Sequence, residues 1–104
     1  MLRKLIWSKL AIQQKNDIFE YWNKRNKSKS YSRKLNSLFN IAAELLINYP
    51  NIGERTDYLD VRLKLVRDCW MVYRIKDKYI QILVIWDNRR NPDDFENILT
   101  SLYI

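Results

Sequence analysis

The chain reads as an α+β fold in the order β-α-α-β-β-β with a short C-terminal helix. Three features predict this. The runs Val61–Val66, Cys69–Ile75 and Tyr79–Trp86 are rich in β-branched and aromatic residues and lie at hairpin spacing. A stripe of apolar residues at i, i+3 and i+4 continues from Tyr31 to Tyr49. Acids follow Pro92 and precede Ile98, Leu99 and Leu102, as at the start of a helix.

Taken in order, Arg3–Trp7 is a short first strand, apolar at Leu5, Ile6 and Trp7. Ser8 is suited to cap the helix that follows, because its hydroxyl accepts from a first-turn amide. From Lys9 to about Arg25, Ala11, Ile12, Ile18, Phe19 and Trp22 recur at helical spacing. The polar stretch Asn23–Ser30 interrupts the pattern, and Ser30 is the expected cap of the second helix. Its stripe comprises Tyr31, Leu35, Leu38, Phe39, Ala42, Leu45, Leu46 and Tyr49, and Pro50 and Gly53 end it. Two amphipathic helices with a short connection form an antiparallel hairpin, whose apolar stripes need a sheet to cover. Alternation in the third strand then predicts Val61, Leu63 and Leu65 towards the helices and Arg62, Lys64 and Val66 away from them. The next two runs are apolar on both faces, as central strands are. Asp68 marks one turn and Lys76-Asp77-Lys78 the other. No internal repeat appears.

The 104 residues are 47% hydrophobic, enough for one domain over 1–104 with one core. One Gly and two Pro leave little room for flexible linkers. No apolar run approaches the ~20 residues of a membrane span, and the start, MLRKLIWSKL, lacks the pattern of a signal peptide. Cys69 is the single cysteine, so no disulfide forms within the chain; a reducing cytoplasm is the expected setting. His is absent, which leaves Cys69 without an activating base and points to a small buried hydrophobe. No Cys/His cluster, glycine-rich phosphate loop or Ser/His/Asp set is present, and neither a metal nor a cofactor is expected.

Charge is uneven along the chain. Residues 1–52 hold 10 Lys/Arg against 3 Asp/Glu, whereas residues 53–104 hold 9 of each. The densest basic run is Lys24, Arg25, Lys27, Lys29, Arg33 and Lys34, with no acid among them. Such a field favours an acidic partner, nucleic acid or protein, although a solvated loop has the same composition. A sheet would also gather Arg62, Lys64, Arg67, Arg89 and Arg90, and grouped cations accept phosphates.

Several segments, in their order, resemble the RelE/ParE superfamily of bacterial toxins. They are Ile6-Trp7-Ser8, the helix end at Tyr21-Trp22, Asn48-Tyr49-Pro50-Asn51-Ile52-Gly53, Val61-Arg62-Leu63-Lys64, Trp70-Met71-Val72-Tyr73 and, most specifically, Ile85-Trp86-Asp87-Asn88-Arg89-Arg90-Asn91-Pro92. The resemblance covers almost the whole chain. It implies a toxin of a type II toxin–antitoxin module, held inactive by a cognate antitoxin.

The superfamily offers two activities. RelE-like members cleave messenger RNA on the ribosome by attack of a ribose 2′-OH on the adjacent phosphate. That reaction needs a proton acceptor, cations on the phosphorane and an acid for the leaving oxygen. By resemblance, Lys64 is the candidate base, Arg67 and Arg89 join it as catalytic residues, and Arg62, Arg90 and Phe95 are candidates for binding substrate. ParE-like members instead inhibit DNA gyrase and cleave nothing. The resemblance favours the metal-independent ribonuclease through the Lys/Arg set, with gyrase inhibition as the alternative. A third reading is a degenerate member kept only as an antitoxin's partner. Phe95 stands about where a Tyr occurs in the nucleases, and Phe stacks but transfers no proton. Tyr103 is a late Tyr in the tail.

Each residue also has a purely structural reading. Arg62 and Lys64 fit a solvated sheet face; Arg67 fits a pair with Asp68 or Asp60; Arg89 fits a pair with Asp87 or Asp93 that fixes the strand exit. Trp7, Trp22 and Trp86 are expected in the core. A sheet face apolar at Trp70 and Val72 and ringed by cations would suit an acidic amphipathic antitoxin segment. The free toxin is expected to be monomeric.

Overall fold

The computed structural model describes residues 3–102; Tyr103 lies outside them. Strand β1 (Lys4–Trp7) leads into helices α1 (Lys9–Asn26) and α2 (Ser30–Asn48). A 3-10 turn (Pro50–Ile52) and a two-residue strand β2 (Glu54–Arg55) follow, then β3 (Val61–Val66), β4 (Cys69–Ile75), β5 (Tyr79–Asp87) and α3 (Pro92–Ser101). The sheet order is β1-β5-β4-β3-β2, with β1 parallel to β5 and the other pairs antiparallel. The expected order is therefore present, with β2 added at the edge. β2 escapes the sequence because Glu54 and Arg55 are both exposed and carry no apolar alternation.

The hairpin is held at each end by local chemistry. Ser8 Oγ accepts from the Ala11 amide at 3.0 Å and donates to the Leu83 carbonyl at 2.8 Å, fixing α1 to β5. Lys27 ends α1 in the left-handed region (φ 51), and its amide donates to the Asn23 carbonyl. Ser30 is not the cap of α2: Lys29 stands there without a side-chain cap, and Ser30 is already helical, donating its amide to Ser28 Oγ. Ala11 and Ile18 of α1 and Leu35, Phe39, Ala42 and Leu46 of α2 are buried against Met71, Tyr73, Ile80, Ile82 and Ile85 of the sheet. Ile12, expected in that core, is exposed.

The facing of β3 is the reverse of the expectation. Arg62, Lys64 and Val66 pair with Tyr73, Met71 and Cys69 and so share the helix-side face. Val61 and Leu63 pack on the opposite face with Val72, Val84, Trp86 and α3. The assumption that fails is that one face of the sheet is dry: α3 brings Phe95, Ile98 and Leu99 onto the second face, so apolar residues are needed there too. The patch at Trp70 and Val72 is likewise not an open face, since Val72 is fully buried in this second cluster and Trp70 packs against it.

β5 carries a β-bulge. Val72 pairs with Val84 but Tyr73 pairs with Ile82, which leaves Leu83 as an extra residue. Ile80 and Ile82 face the helices; beyond the bulge Ile85 does so, while Leu83, Val84 and Trp86 turn to the α3 side.

Gly53 is required by a close approach. A Cβ there would lie 2.5 Å from the Tyr73 hydroxyl and 2.7 Å from the Leu63 carbonyl. The Gly53 amide donates to Tyr73 Oη at 3.0 Å, and that hydroxyl donates to the Pro50 carbonyl at 2.6 Å. The exit of α2 is thereby tied to the centre of the sheet.

Candidate functional site

The end of β5 carries a dense cluster of polar contacts. Asp87 is its last residue and is buried, and Arg89 folds back onto it. Arg89 Nε donates to both carboxylate oxygens at 3.0 Å, Nη2 donates to Oδ2, and the Arg89 amide donates to Oδ1 at 2.9 Å. The guanidinium also lies over two rings of α1, 4.7 Å from the centre of Tyr21 and 4.6 Å from that of Trp22. Burial alone would raise the Asp87 carboxyl, but the Arg89 hydrogen bonds and the Arg89 and Arg90 charges outweigh it and hold the group below the usual carboxylate range. The same bonds push the Arg89 guanidinium further up. Of the two structural pairings open to Arg89, Asp87 is the one formed.

Arg90 diverges from Arg89. Its guanidinium sits 4.5 Å from the centre of Trp86 on the α3 face, where Phe95 stacks on the same indole at 5.4 Å. Phe95 is thus a packing residue of α3, in a stack already closed within the chain.

 The other members of that stack are Trp86 and Arg90, which lie on either side of the sequence turn.

Arg62 is held by backbone. Its Nη1 donates to the carbonyls of Asn51 at 3.1 Å and Gly53 at 2.9 Å, so it braces the 3-10 turn. Lys64 borders a shallow groove between β3 and α2, with Leu38, Ile41 and Leu45 opposite it. Arg67 is exposed at the two-residue β3–β4 turn with φ 57, and among the described residues it forms no ion pair. It borders both the Lys64 groove and a narrow crevice shared with Trp22, Tyr31, Asp87 and Arg89.

The expected cation set is therefore distributed along a rim. Lys64 and Arg67 are neighbours on the α2 side, Arg67 and Arg89 meet at the crevice, Arg62 turns to the 3-10 segment, and Arg90 and Phe95 lie over the opposite face. Sequence reasoning missed the ring pair around Arg89. Two adjacent aromatics at the end of α1, ahead of a basic run, were the available signal, since only one of them can face the core. It also missed Gln14, buried on α1, whose Oε1 accepts the Ile85 amide at 2.9 Å just past the bulge.

Beside the Asp87–Arg89 pair lies a cleft of about 360 Å³ between α1 and β5, with Ile18 and Ile85 among its apolar walls and Asp17, Tyr21 and Arg90 at its rim. Cys69 lies behind the pair. Its thiol is pushed up to about 12 by burial and by the Asp87 and Asp68 charges, which makes it a poor nucleophile. Among the described residues no group of His, Cys, Asp and Glu could hold a metal ion.

A family model described as the ParE toxin of the type II toxin–antitoxin system parDE matches residues 5–92. This chain belongs to the ParE toxin family. It is the toxin of a type II toxin–antitoxin system. The match ends at the first residue of α3, so the helix that covers the second face lies beyond it. Among solved structures, the chromosomal ParDE toxin–antitoxin system from P. aeruginosa aligns with a TM-score of 0.71 at 19% identity, covering 83% of this chain and 96% of that one. The E. coli DinJ-YafQ toxin–antitoxin complex aligns with a TM-score of 0.55 at 12% identity, covering 86% and 96%. At these identities the likeness is one of fold. No curated protein matches the sequence. No helix of the described residues is long and apolar enough to cross a membrane.

Proposed function

We propose that this ParE-family toxin acts by occupying a macromolecular target, DNA gyrase in the reading the family offers, rather than by cutting RNA. The observation that carries this is the Asp87–Arg89 pair. The Arg that a nuclease would aim at a phosphate already has both its charge and its planar fork engaged by a buried carboxylate and two rings. Lys64 lies across the rim from it, against α2, and Arg62 is turned to backbone carbonyls. General acid–base chemistry needs two groups converging on one reacting centre. Here His is absent, Cys69 is buried, and the Tyr73 hydroxyl is committed to Pro50 and Gly53.

A binding toxin needs a shaped surface and a partner that blocks it. Leu38, Ile41, Leu45 and Leu65 form an apolar groove flanked by Lys64 and Arg67. An acidic amphipathic segment of the cognate antitoxin fits that groove by charge and by burial. The deciding experiment adds purified toxin to a supercoiling reaction with gyrase and, separately, to a translating extract whose message is mapped by primer extension. Lost supercoiling with intact message is expected. Discrete ribosome-dependent cuts, abolished in Lys64→Ala, would restore the ribonuclease reading, with Lys64, Arg67 and Arg89 as its catalytic residues and mRNA as its substrate.

A further inference from the structure

The strongest charge feature of the molecule takes no part in the site above. Lys24 and Arg25 close the last turn of α1, Lys27 and Lys29 lie in the connection, and Arg33 and Lys34 open α2. Residues 24–30 are all exposed, as are Arg33 and Lys34. Among the described residues Lys24 alone of the six has an acid, Glu20 at 2.9 Å, and that pair is 76% and 64% exposed. Among the described residues the other five form no ion pair.

Local electrostatics are unfavourable as they stand. Lys29 and Arg33 are like charges one turn apart, a spacing at which they repel. Both lie at the positive end of the α2 dipole, whose first turn has no acid and no side-chain cap. The tip packs through other side chains: Trp22 lies on Tyr31, with rings 4.9 Å apart, and Ser32 Oγ donates to Asn23 Oδ1 at 2.5 Å. The exposed Arg67 extends the field across the crevice that Trp22 and Tyr31 border. One end of the molecule thus carries seven cations, six from residues 24–34 and Arg67, around a partly exposed aromatic pair.

We infer that the helical-hairpin tip, Lys24–Lys34, is a binding surface for the phosphodiester backbone of nucleic acid, distinct from the groove the antitoxin covers, which Arg67 flanks. A phosphate array is favoured over an acidic protein segment because residues 24–30 are Lys, Arg, Asn and Ser throughout. A peptide ordering on a toxin needs apolar burial to offset its lost entropy, which residues 24–30 do not supply. Backbone phosphates need only cations and hydroxyl or amide donors. The groove between α2 and β3 supplies the apolar surface instead, so both partners can be bound together. The inference holds whichever target the toxin has.

The test is fluorescence anisotropy of the purified full chain with a short labelled DNA duplex and, in a second arm, a single-stranded RNA of equal length. Lys27→Glu/Lys29→Glu/Arg33→Glu is compared with Lys4→Glu/Lys76→Glu/Lys78→Glu, an equal charge change at exposed positions by the other end of the sheet. The tip variant should lose at least tenfold in affinity while the control keeps most of it. For the duplex, the slope of log affinity against log salt should become shallower by about 2.7, from about 0.9 per lost phosphate contact. The better-bound arm identifies which nucleic acid is the source of the phosphates. Lys27→Gln/Lys29→Gln/Arg33→Gln, which adds no repulsion, should show the same ranking, and circular dichroism should report unchanged helix content. Equal losses in tip and control variants would reduce the effect to net charge and overturn the inference. So would the absence of binding in both arms, or polyglutamate binding the tip as tightly as the duplex does.

Discussion

The strand exit at Asp87–Arg90 and the tip of the helical hairpin both read in the sequence as clusters of cations. They differ in what surrounds them. At the exit, a buried carboxylate and two aromatic rings hold Arg89, and Trp86 lies beneath Arg90. At the tip, six basic residues share one exposed acid among the described residues. Charge counted along a chain is therefore not charge available to a ligand; availability depends on whether the fold supplies a counter-group first. The first region is architecture built from charge, and the second is charge left facing water.

The sharpest way to break this contrast is Arg89→Ala. It leaves Asp87 buried without its guanidinium, and we expect a loss of about 2 kcal/mol in a urea titration. This falls below the usual cost of unpairing a buried ion because the Arg89 side chain is 42% exposed. An unchanged midpoint would show that the pair contributes nothing to the fold. Next is acid. The Asp87 carboxyl is held below its unfolded value, so its contribution to stability is complete above the unfolded carboxylate range, near pH 4, and is lost as pH falls through the lower folded value. Asp87→Asn should flatten the stability–pH curve in that acid window, and a parallel curve would count against the pairing. Arg62→Met keeps the aliphatic stem but removes two donors from the Asn51 and Gly53 carbonyls. A loss of about 1 kcal/mol is expected, because water can replace part of what is lost. The smallest effect belongs to the tip. Lys27→Glu/Lys29→Glu/Arg33→Glu should stay within about 0.5 kcal/mol of the parent, as surface changes without partners do. A larger loss at the tip than at Arg89 would reverse the comparison.

Much of the fold was legible because its signals are periodic. The α2 stripe, the hairpin spacing of β3, β4 and β5, and the acids at the start of α3 each depend on neighbours in sequence, and each element is present. What was not legible depends on distant packing. Which side of β3 faces α2 could not be read from Val61-Arg62-Leu63-Lys64, since either register is amphipathic and the choice rests on α3 covering the second face. The same limit applies to the site. That Arg89 pairs with Asp87 was one of two pairings the sequence allowed beside a catalytic role, but its enclosure by Tyr21 and Trp22 comes from a helix more than sixty residues earlier. Arg62 looked free because its acceptors are main-chain carbonyls, which no side-chain pattern announces.

Leu83 has a consequence out of proportion to its place in one strand. Because it is the surplus residue of β5, it inverts the orientation of everything downstream, so that Asp87 is delivered to the Tyr21–Trp22 side and Trp86 to the Phe95 side. A strand of the same length that paired without the bulge would exchange the two by plain alternation from Ile82, stranding a carboxylate beneath α3 and an indole beneath α1. The polarity of this toxin's whole exit segment is thus set by parity, one residue odd or even.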